Sequence, residues 1–202
     1  MRKYLIKIKQ VLKNLLFMLV KWCLNFIENN RAAYYKFLYP RQIDFGQGVM
    51  MASGTSILMV YENKISSLKI GSATNFRRFC TLTLDGKCEL NIGNNNFFNN
   101  GCSINCLGYV KIGNYNLFGE GVKIYDHNHL FRDKNVLVQN QGFSIGKVEI
   151  GNNCWVGSNT VILNNVIIGD NVIIGANNLI YKSIPSNSIV KSNTHGVVDY
   201  YI

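Results

Sequence analysis

Hydrophobic positions in the last third of the chain recur every six residues. A large aliphatic side chain stands at each step of this spacing, at Ile150, Val156, Ile162, Ile168, Ile174 and Ile180. Glycine, asparagine or aspartate crowds the positions between them, and these residues tolerate the positive φ angles that tight turns need. A period of six fits neither an amphipathic helix nor an ordinary strand. It is the spacing of a hexapeptide β-helix, in which each hexad is a short strand and a turn and three hexads form one coil.

The same signature returns earlier in the chain, less regularly. Inward residues followed by glycine stand at Ile70, Ile92 and Ile112. The step from Ile124 to Ile150 is longer than one coil, so a loop is predicted to protrude there, at about residues 128–147. The predicted fold is all-β, a parallel β-helix of hexapeptide repeats over residues 42–190, followed by a tail at 191–202.

The first 41 residues follow a helical period instead and predict an amphipathic α-helical segment. One stripe is polar, with Lys3, Lys7, Gln10, Asn14, Lys21 and Asn25. The opposite stripe is apolar, with Leu5, Ile8, Leu12, Leu15, Leu19, Trp22 and Phe26. The longest uninterrupted apolar run, Leu15 to Val20, is too short to span a bilayer. Two surroundings fit such a helix: an anionic membrane surface, or an apolar seat on the protein's own body or a neighbouring subunit.

The net charge of +10 is concentrated in this segment. Its nine Lys or Arg residues and one Glu leave +8 over residues 1–41 and only +2 over the remainder. Nucleic-acid readers usually carry a basic face on the fold that does the reading, so no nucleic-acid partner is expected. The segment lacks the pattern of a signal peptide, and the six cysteines contain no CxxC pair and are expected to be reduced and mostly buried. The expected location is cytoplasmic, with a peripheral contact at the inner face of the membrane if the helix binds lipid.

The histidines carry the clearest candidate chemistry. Two of the three, His127 and His129, stand in the segment KIYDHNHLF beside Asp126, at the root of the predicted loop. Imidazole exchanges a proton readily near neutral pH and suits a general base. The hexads, the loop and the downstream stretch IGNNCWVGSNTVI together resemble the left-handed β-helix acyltransferases with hexapeptide repeats. Within that family the chain is most similar to the galactoside and maltose O-acetyltransferases and the O-acetyltransferases of bacterial surface polysaccharides.

The resemblance implies a left-handed coil and a homotrimer, with acetyl-CoA as co-substrate in the groove between adjacent subunits. It makes His127 the catalytic base, which takes the proton of a substrate hydroxyl as that oxygen attacks the thioester. In an extended segment His129 points the same way as His127, so it is a candidate substrate contact and the choice of base between the two rests on the resemblance. It assigns Asn99, in the stretch FFNNGCSI, to positioning the acceptor hydroxyl.

For the acyl donor, the resemblance implies contacts from four residues. Trp155 walls the site against substrate and cofactor, and the backbone N–H of Ser158 meets the thioester oxygen, where negative charge develops. Ala176 and Lys182 line the CoA channel. The basic residue with which the family contacts the CoA phosphate has no direct match near the end of this chain, where Lys191 is the candidate replacement.

We therefore expect an O-acetyltransferase that moves acetyl from acetyl-CoA to a sugar hydroxyl of a bacterial surface polysaccharide or its precursor. The expected acceptor is a glycan or a lipid-linked sugar. No metal is expected. A zinc carbonic anhydrase of this fold needs three histidines on coils of adjacent subunits, and this chain has only one close pair and a third histidine near its end. One alternative, a xenobiotic (antibiotic) or amino-sugar N-acetyltransferase on the same fold, shares these motifs. The other, a non-catalytic hexapeptide-repeat scaffold, would have no reason to keep the loop histidines with the Trp and Ser spacing. The amino-terminal helix favours the O-acetyltransferase of surface polysaccharides over a drug-modifying enzyme, because the latter has no use for a membrane surface.

Overall fold

The computed structural model describes residues 2–60, 66–191 and 198–200, which form two helices followed by stacked short strands. The helices are α1 (Arg2–Asn29) and α2 (Arg31–Leu38), and a 3₁₀ turn spans Val138–Asn140. The strands are β1 (Ile43–Phe45), β2 (Met50–Met51), β3 (Ser56–Met59), β4 (Ser67–Ile70), β5 (Asn75–Phe76), β6 (Thr81–Leu84), β7 (Glu89–Ile92), β8 (Phe97–Phe98), β9 (Ser103–Cys106), β10 (Tyr109–Ile112), β11 (Leu117–Phe118), β12 (Lys123–Tyr125), β13 (His127–His129), β14 (Phe143–Ile145), β15 (Lys147–Ile150), β16 (Trp155–Val156), β17 (Val161–Ile162), β18 (Val166–Ile168), β19 (Ile173–Ile174), β20 (Leu179–Ile180), β21 (Ser188–Val190) and β22 (Val198–Tyr200).

The strands stack into three sheets, one for each side of the coil. Face A has the order β1-β4-β7-β10-β15-β18, face B has β2-β5-β8-β11-β16-β19-β21-β22, and face C has β3-β6-β9-β12-β17-β20. Every pairing within these faces is parallel except that of β21 with β22. The predicted parallel β-helix of hexapeptide repeats is thereby confirmed. We call the turns between faces B and C the B–C corner, and those between faces C and A the C–A corner.

One buried side chain per strand builds the core, and equivalent residues stack in register from coil to coil. On face B, Phe98 pairs in register with Phe76 on one side and Phe118 on the other. The ring centroids are 4.6 and 4.4 Å apart, and the rings are stacked almost parallel, with interplanar angles of 6° and 1°. Each such buried side chain stabilises the fold by about 1.5–3 kcal/mol relative to exposure. The coils are therefore locked at one repeat distance, which fixes where each corner residue stands.

The cysteines belong to this core, with one exception. All six are free thiols, and five of them are buried while Cys23 on α1 is exposed. Burial raises the pKa of the Cys154 thiol. All five buried cysteines belong to the hydrophobic core cluster, as the sequence predicted for small apolar side chains.

The loop predicted at about residues 128–147 leaves the coil at the C–A corner. Ile124 pairs in register with Ile162 of the next coil, so the loop is inserted into a single coil of the β-helix. Strands β13 and β14 pair antiparallel as a hairpin within it. At its neck, the backbone N–H of Gly146 donates to the carbonyl oxygen of Asp126 at 2.7 Å. The coil thus continues undisturbed beneath a hairpin whose first strand carries both loop histidines.

The amino-terminal segment is helical, as its period predicted. Helix α2 packs on the first coil, where Ala32 and Tyr35 contact the buried core. Every side chain of α1 that the structure describes is exposed, including Phe17 at 69% and Trp22 at 65%. Among the described residues, no helix is long and apolar enough to cross a membrane. The described part of the apolar stripe therefore does not pack on the chain's own coils. A membrane surface and a neighbouring subunit remain as its expected surroundings.

Candidate active site

A buried carboxylate organises the root of the loop. Asp126 lies in the bend between β12 and β13 and is fully buried. Its two carboxylate oxygens accept the backbone N–H of Leu107 at 2.9 and 3.1 Å, and one also accepts the N–H of Gly108 at 2.8 Å. Its Oδ1 lies 2.9 Å from Nδ1 of His127. A carboxylate oxygen accepts hydrogen bonds and has no proton to donate. Nδ1 of His127 therefore donates, and Nε2 keeps the lone pair that a general base uses.

Aromatic contacts hold the two loop histidines on the same side of β13. The His127 ring meets the ring of Phe143 edge-on with centroids 5.3 Å apart, and the His129 ring lies 4.4 Å from the same Phe143. This agrees with the expectation that residues two apart in a strand share a face. The histidines differ in burial: only 14% of the His127 side chain is exposed, whereas His129 is exposed and lines a cavity of about 780 Å³ in the loop. Only His127 has a carboxylate partner among the described residues.

A second polar cluster occupies the B–C corner, on three successive coils. The side-chain amide of Asn99 donates to Oε1 of Glu120 at 2.7 Å, and the hydroxyl of Ser158 donates to Oε2 of Glu120 at 2.8 Å. The Ser158 hydroxyl holds the pKa of the Glu120 carboxyl below its ordinary value, and a backbone N–H and the Asn99 amide act in the same direction. Glu120 is exposed, so the ionised carboxylate is open to solvent while it bridges two of the predicted site residues.

The close stacking of this corner depends on glycine. A Cβ on Gly119 would come within 2.6 Å of the backbone nitrogen of Ser158, and one on Gly157 would collide with the backbone of Ala176. Ala176 thus follows Ser158 directly on the next coil of the same corner. Lys191 follows Val190 at the end of β21, which pairs with β19, and therefore lies one coil beyond Ala176.

The remaining two predicted residues lie elsewhere on the coil. Trp155 stands on the outer side of face B, opposite Leu117 in register, and its side chain is 55% exposed. Lys182 lies at the C–A corner two coils from Asp126, because Ile124, Ile162 and Ile180 are in register. It is exposed, and its Nζ is 5.6 Å from the ring centroid of Tyr181.

Six of the seven predicted site residues therefore form two groups in one chain, and Trp155 lies on face B outside both. The C–A corner carries His127, His129 and Lys182, and the B–C corner carries Asn99, Ser158 and Ala176. Face C separates the two corners, so a single chain does not bring His127 to the backbone of Ser158. Among residues 2–60, 66–191 and 198–200, no group of three His, Cys, Asp or Glu side chains is arranged to hold a metal ion.

Two residues of these clusters escaped the sequence analysis. Asp126 was noticed only as a neighbour of His127, because adjacent residues in an extended strand point to opposite sides and rarely contact each other. The bend at Asp126 removes that restriction. Glu120 had a usable signal: it stands two residues after the inward Phe118, and Ser158 stands two residues after the inward Val156, in register with it.

The repeat and the fold agree with known proteins. Residues 147–182 match the profile of the family described as Bacterial transferase hexapeptide (six repeats). No curated protein matches the chain by sequence. The chain thus carries the hexapeptide repeat that the sequence analysis recognised, on the β-helix that this repeat builds.

Solved structures with the same fold are distant in sequence. AntD, an N-acyltransferase from Bacillus cereus in complex with dTDP and 3-hydroxybutyryl-CoA, is 17% identical with a TM-score of 0.61, covering 83% of this chain and 88% of that one. The hexapeptide-repeat acetyltransferase VCA0836 from Vibrio cholerae, complexed with acetyl coenzyme A, is 16% identical with a TM-score of 0.54, covering 83% of this chain and 75% of that one. At these identities the likeness establishes the fold.

The Asp126 contact predicts the tautomer of His127. We expect ¹⁵N NMR of the neutral protein to show the Nδ1–H form for His127, because the carboxylate accepts that proton. His129, which has no carboxylate partner in the described chain, should show the ordinary preference for Nε2–H. In Asp126→Glu, whose longer side chain displaces the carboxylate, the His127 signal should move toward that of His129. An Nε2–H form of His127 in the wild type would contradict the assignment.

Proposed function

We propose that this protein is an acetyl-CoA-dependent O-acetyltransferase that acetylates a sugar hydroxyl of a bacterial surface polysaccharide or its precursor. The observation that carries the proposal is the pair of Asp126 and His127 at the root of the loop on a hexapeptide β-helix. A buried carboxylate that orients an imidazole and leaves its other nitrogen free to accept a proton is what a general base needs.

The chemistry requires only a direct transfer between two bound substrates. Nε2 of His127 takes the proton of the acceptor hydroxyl as its oxygen attacks the thioester carbonyl of acetyl-CoA. The C–S bond of the tetrahedral intermediate then breaks, and the leaving thiolate receives the proton from His127. The ionised Asp126 stabilises the imidazolium that exists between these two events. No covalent acetyl-enzyme is needed.

The oxyanion of the intermediate needs a hydrogen-bond donor, and Ser158 offers one. Its hydroxyl is already engaged with Glu120, but its backbone N–H donates no hydrogen bond within the described chain. An unused N–H at a rigid, glycine-packed corner is suited to a site where negative charge develops. Asn99, held by Glu120 on the neighbouring coil, is placed to position the acceptor hydroxyl.

The ligands of the solved relatives support the donor and leave a second acceptor class to test. AntD was crystallised with 3-hydroxybutyryl-CoA, and VCA0836 with acetyl coenzyme A. An AntD variant was also crystallised with dTDP-4-amino-4,6-dideoxyglucose and coenzyme A. Transfer to the amine of an amino sugar is therefore the second candidate function, and parallel assays with hydroxyl and amino acceptors distinguish the two.

The base assignment makes a kinetic prediction. His127→Ala should lower kcat by roughly 10²–10⁴, the range for loss of a general base, with the β-helix still folded. His129→Ala, the matched control on the same strand, should cost far less because it lacks the carboxylate partner. Rates with labelled acetyl-CoA and circular dichroism of both variants test this. A larger loss in His129→Ala than in His127→Ala would make the assignment wrong.

We further propose that the protein works as a homotrimer with each site shared between two subunits. The support is the separation of the two groups of site residues by face C, since a neighbour that packs its B–C corner against the C–A corner unites them. In such a heterologous ring each interface carries one complete site.

A complementation experiment tests the shared site. His127→Ala and Asn99→Ala each remove one half, so refolded mixtures of equal parts should regain up to about a quarter of the wild-type activity, because that share of interfaces pairs two intact halves. Mixing two preparations of the same variant is the control and should regain nothing. Sedimentation velocity should show a trimer; a stable and active monomer would contradict the proposal.

We also propose that α1 attaches the protein to the inner face of the membrane. The support is its exposed apolar side chains together with the +8 charge of residues 1–41, which is complementary to anionic lipid. The chemistry of a lipid-linked acceptor would require such a position, whereas a soluble xenobiotic would not.

Vesicle sedimentation tests this attachment. Full-length protein should pellet with anionic vesicles, pellet less in high salt because screening weakens the lipid attraction, and not pellet with neutral vesicles. Deletion of residues 1–30 should abolish pelleting but leave acetyl transfer to a soluble sugar intact. If instead the truncated protein aggregates or loses its trimer and the full-length protein does not pellet, α1 packs on a neighbouring subunit.

A further inference from the structure

A cationic cavity lies at the amino-terminal end of the corner that carries Asn99 and Ser158. Its volume is about 760 Å³, and its walls come from the start of α2 and from the outer side of the first coils. Three arginines line it, Arg31, Arg77 and Arg78, and its lining contains no aspartate or glutamate. Three guanidinium groups around one concave surface form a site for an anion, and arginine suits phosphate oxygens because its planar fork donates two hydrogen bonds at once.

The fold holds Arg31 by its side chain and Arg77 and Arg78 by their backbones, which leaves the last two side chains available. Arg31 donates through Nη1 to the carbonyl oxygen of Thr55 at 3.1 Å, which ties α2 to the first coil. The Thr55 hydroxyl donates to the carbonyl oxygen of Arg77 at 2.7 Å, and the N–H of Arg78 donates to Oδ1 of Asn100 at 3.2 Å. The side chains of Arg77 and Arg78 are exposed, and neither forms an ion pair with a carboxylate of the described residues.

The cavity stands in line with the reaction centre. Phe76, Phe98 and Phe118 are in register, so Arg78 lies one coil below Asn100 and two below Glu120. Coils are spaced by about 4.8 Å, which puts the backbone of Arg78 about 10 Å from that of Glu120 and about 14 Å from that of Ser158. This separation corresponds to the length of a sugar ring joined to a diphosphate.

We propose that this cavity binds the diphosphate of an activated sugar, so that the acceptor is a sugar diphosphate rather than a finished polysaccharide. The inference rests on the proposed function, since it assigns the acceptor of that reaction. The sugar ring lies along the corner beside Asn99, with the hydroxyl at the reaction centre and the diphosphate between Arg77 and Arg78. Nucleotide sugars and lipid-linked sugars share this chemistry.

The test compares Arg77→Gln/Arg78→Gln with Lys111→Gln, which removes one exposed charge on face A, away from the cavity. Four substrates are needed: acetyl-CoA, a nucleotide diphosphate sugar, a polyprenyl diphosphate sugar in vesicles, and the same sugar without phosphate. The double variant should raise KM for a sugar diphosphate by roughly tenfold to hundredfold, as expected for lost charge-assisted hydrogen bonds. KM for acetyl-CoA should stay within about twofold in every variant. The wild type should prefer a sugar diphosphate to the unphosphorylated sugar. Whichever of the two sugar diphosphates is acetylated shows whether the natural acceptor is linked to a nucleotide or to a lipid.

Binding of inorganic pyrophosphate, measured by calorimetry on the full-length protein, separates failure of the cavity from failure of the reaction. Wild type and Lys111→Gln should bind it and the double variant should not, whether or not any acceptor is acetylated. Acetylation of the unphosphorylated sugar with equal efficiency in all variants would overturn the inference and leave the proposed function standing. A rise in KM for acetyl-CoA in the double variant would also overturn it, because the cavity would then hold the phosphates of CoA.

Discussion

The stacking of equivalent side chains from coil to coil is the constraint on which the rest of the molecule depends. Three columns of buried residues, one per face, lock successive coils at a single repeat distance, and the Phe76, Phe98 and Phe118 rings show how closely they match. A corner residue then has no freedom to choose its neighbours, because the residues at the same hexad position lie directly above and below it. Functional groups at the same hexad position of successive coils are therefore aligned along the β-helix axis.

The hairpin at residues 127–146 is the place where this regularity is broken, and a single carboxylate joins it to the coil. Asp126 accepts hydrogen bonds from Leu107 and Gly108 on the preceding turn and faces His127 on the hairpin. A buried charge is costly unless it is fully hydrogen-bonded, so these donors and the imidazole stabilise each other's positions. The same contact that secures the hairpin also sets the tautomer of the candidate base.

The residues of the B–C corner change in character from one end of the β-helix to the other. Exposed arginines stand at its amino-terminal end, Asn99, Glu120 and Ser158 at its middle, and Ala176 and Lys191 toward its carboxyl-terminal end. The acceptor and the donor that we propose, each with its own phosphate groups, would approach the middle of this corner from opposite ends.

The sequence by itself determined the β-helix, its loop and its amino-terminal helix, because each depends on a local period: six residues for the coil, 3.6 for the helix. The two loop histidines, His127 and His129, stand out in a chain with only three histidines, whereas Asn99 and Ser158 were singled out by the resemblance to a known family. Only the tertiary structure decided which of these residues meet. The bend at Asp126 turns a neighbour in sequence into a hydrogen-bond partner, and coil register joins Asn99 to Ser158 through Glu120, contacts that span 21 and 38 residues of chain. The separation of His127 from Ser158 is likewise a property of the corners, since it depends on which of three faces each hexad occupies rather than on the hexad itself.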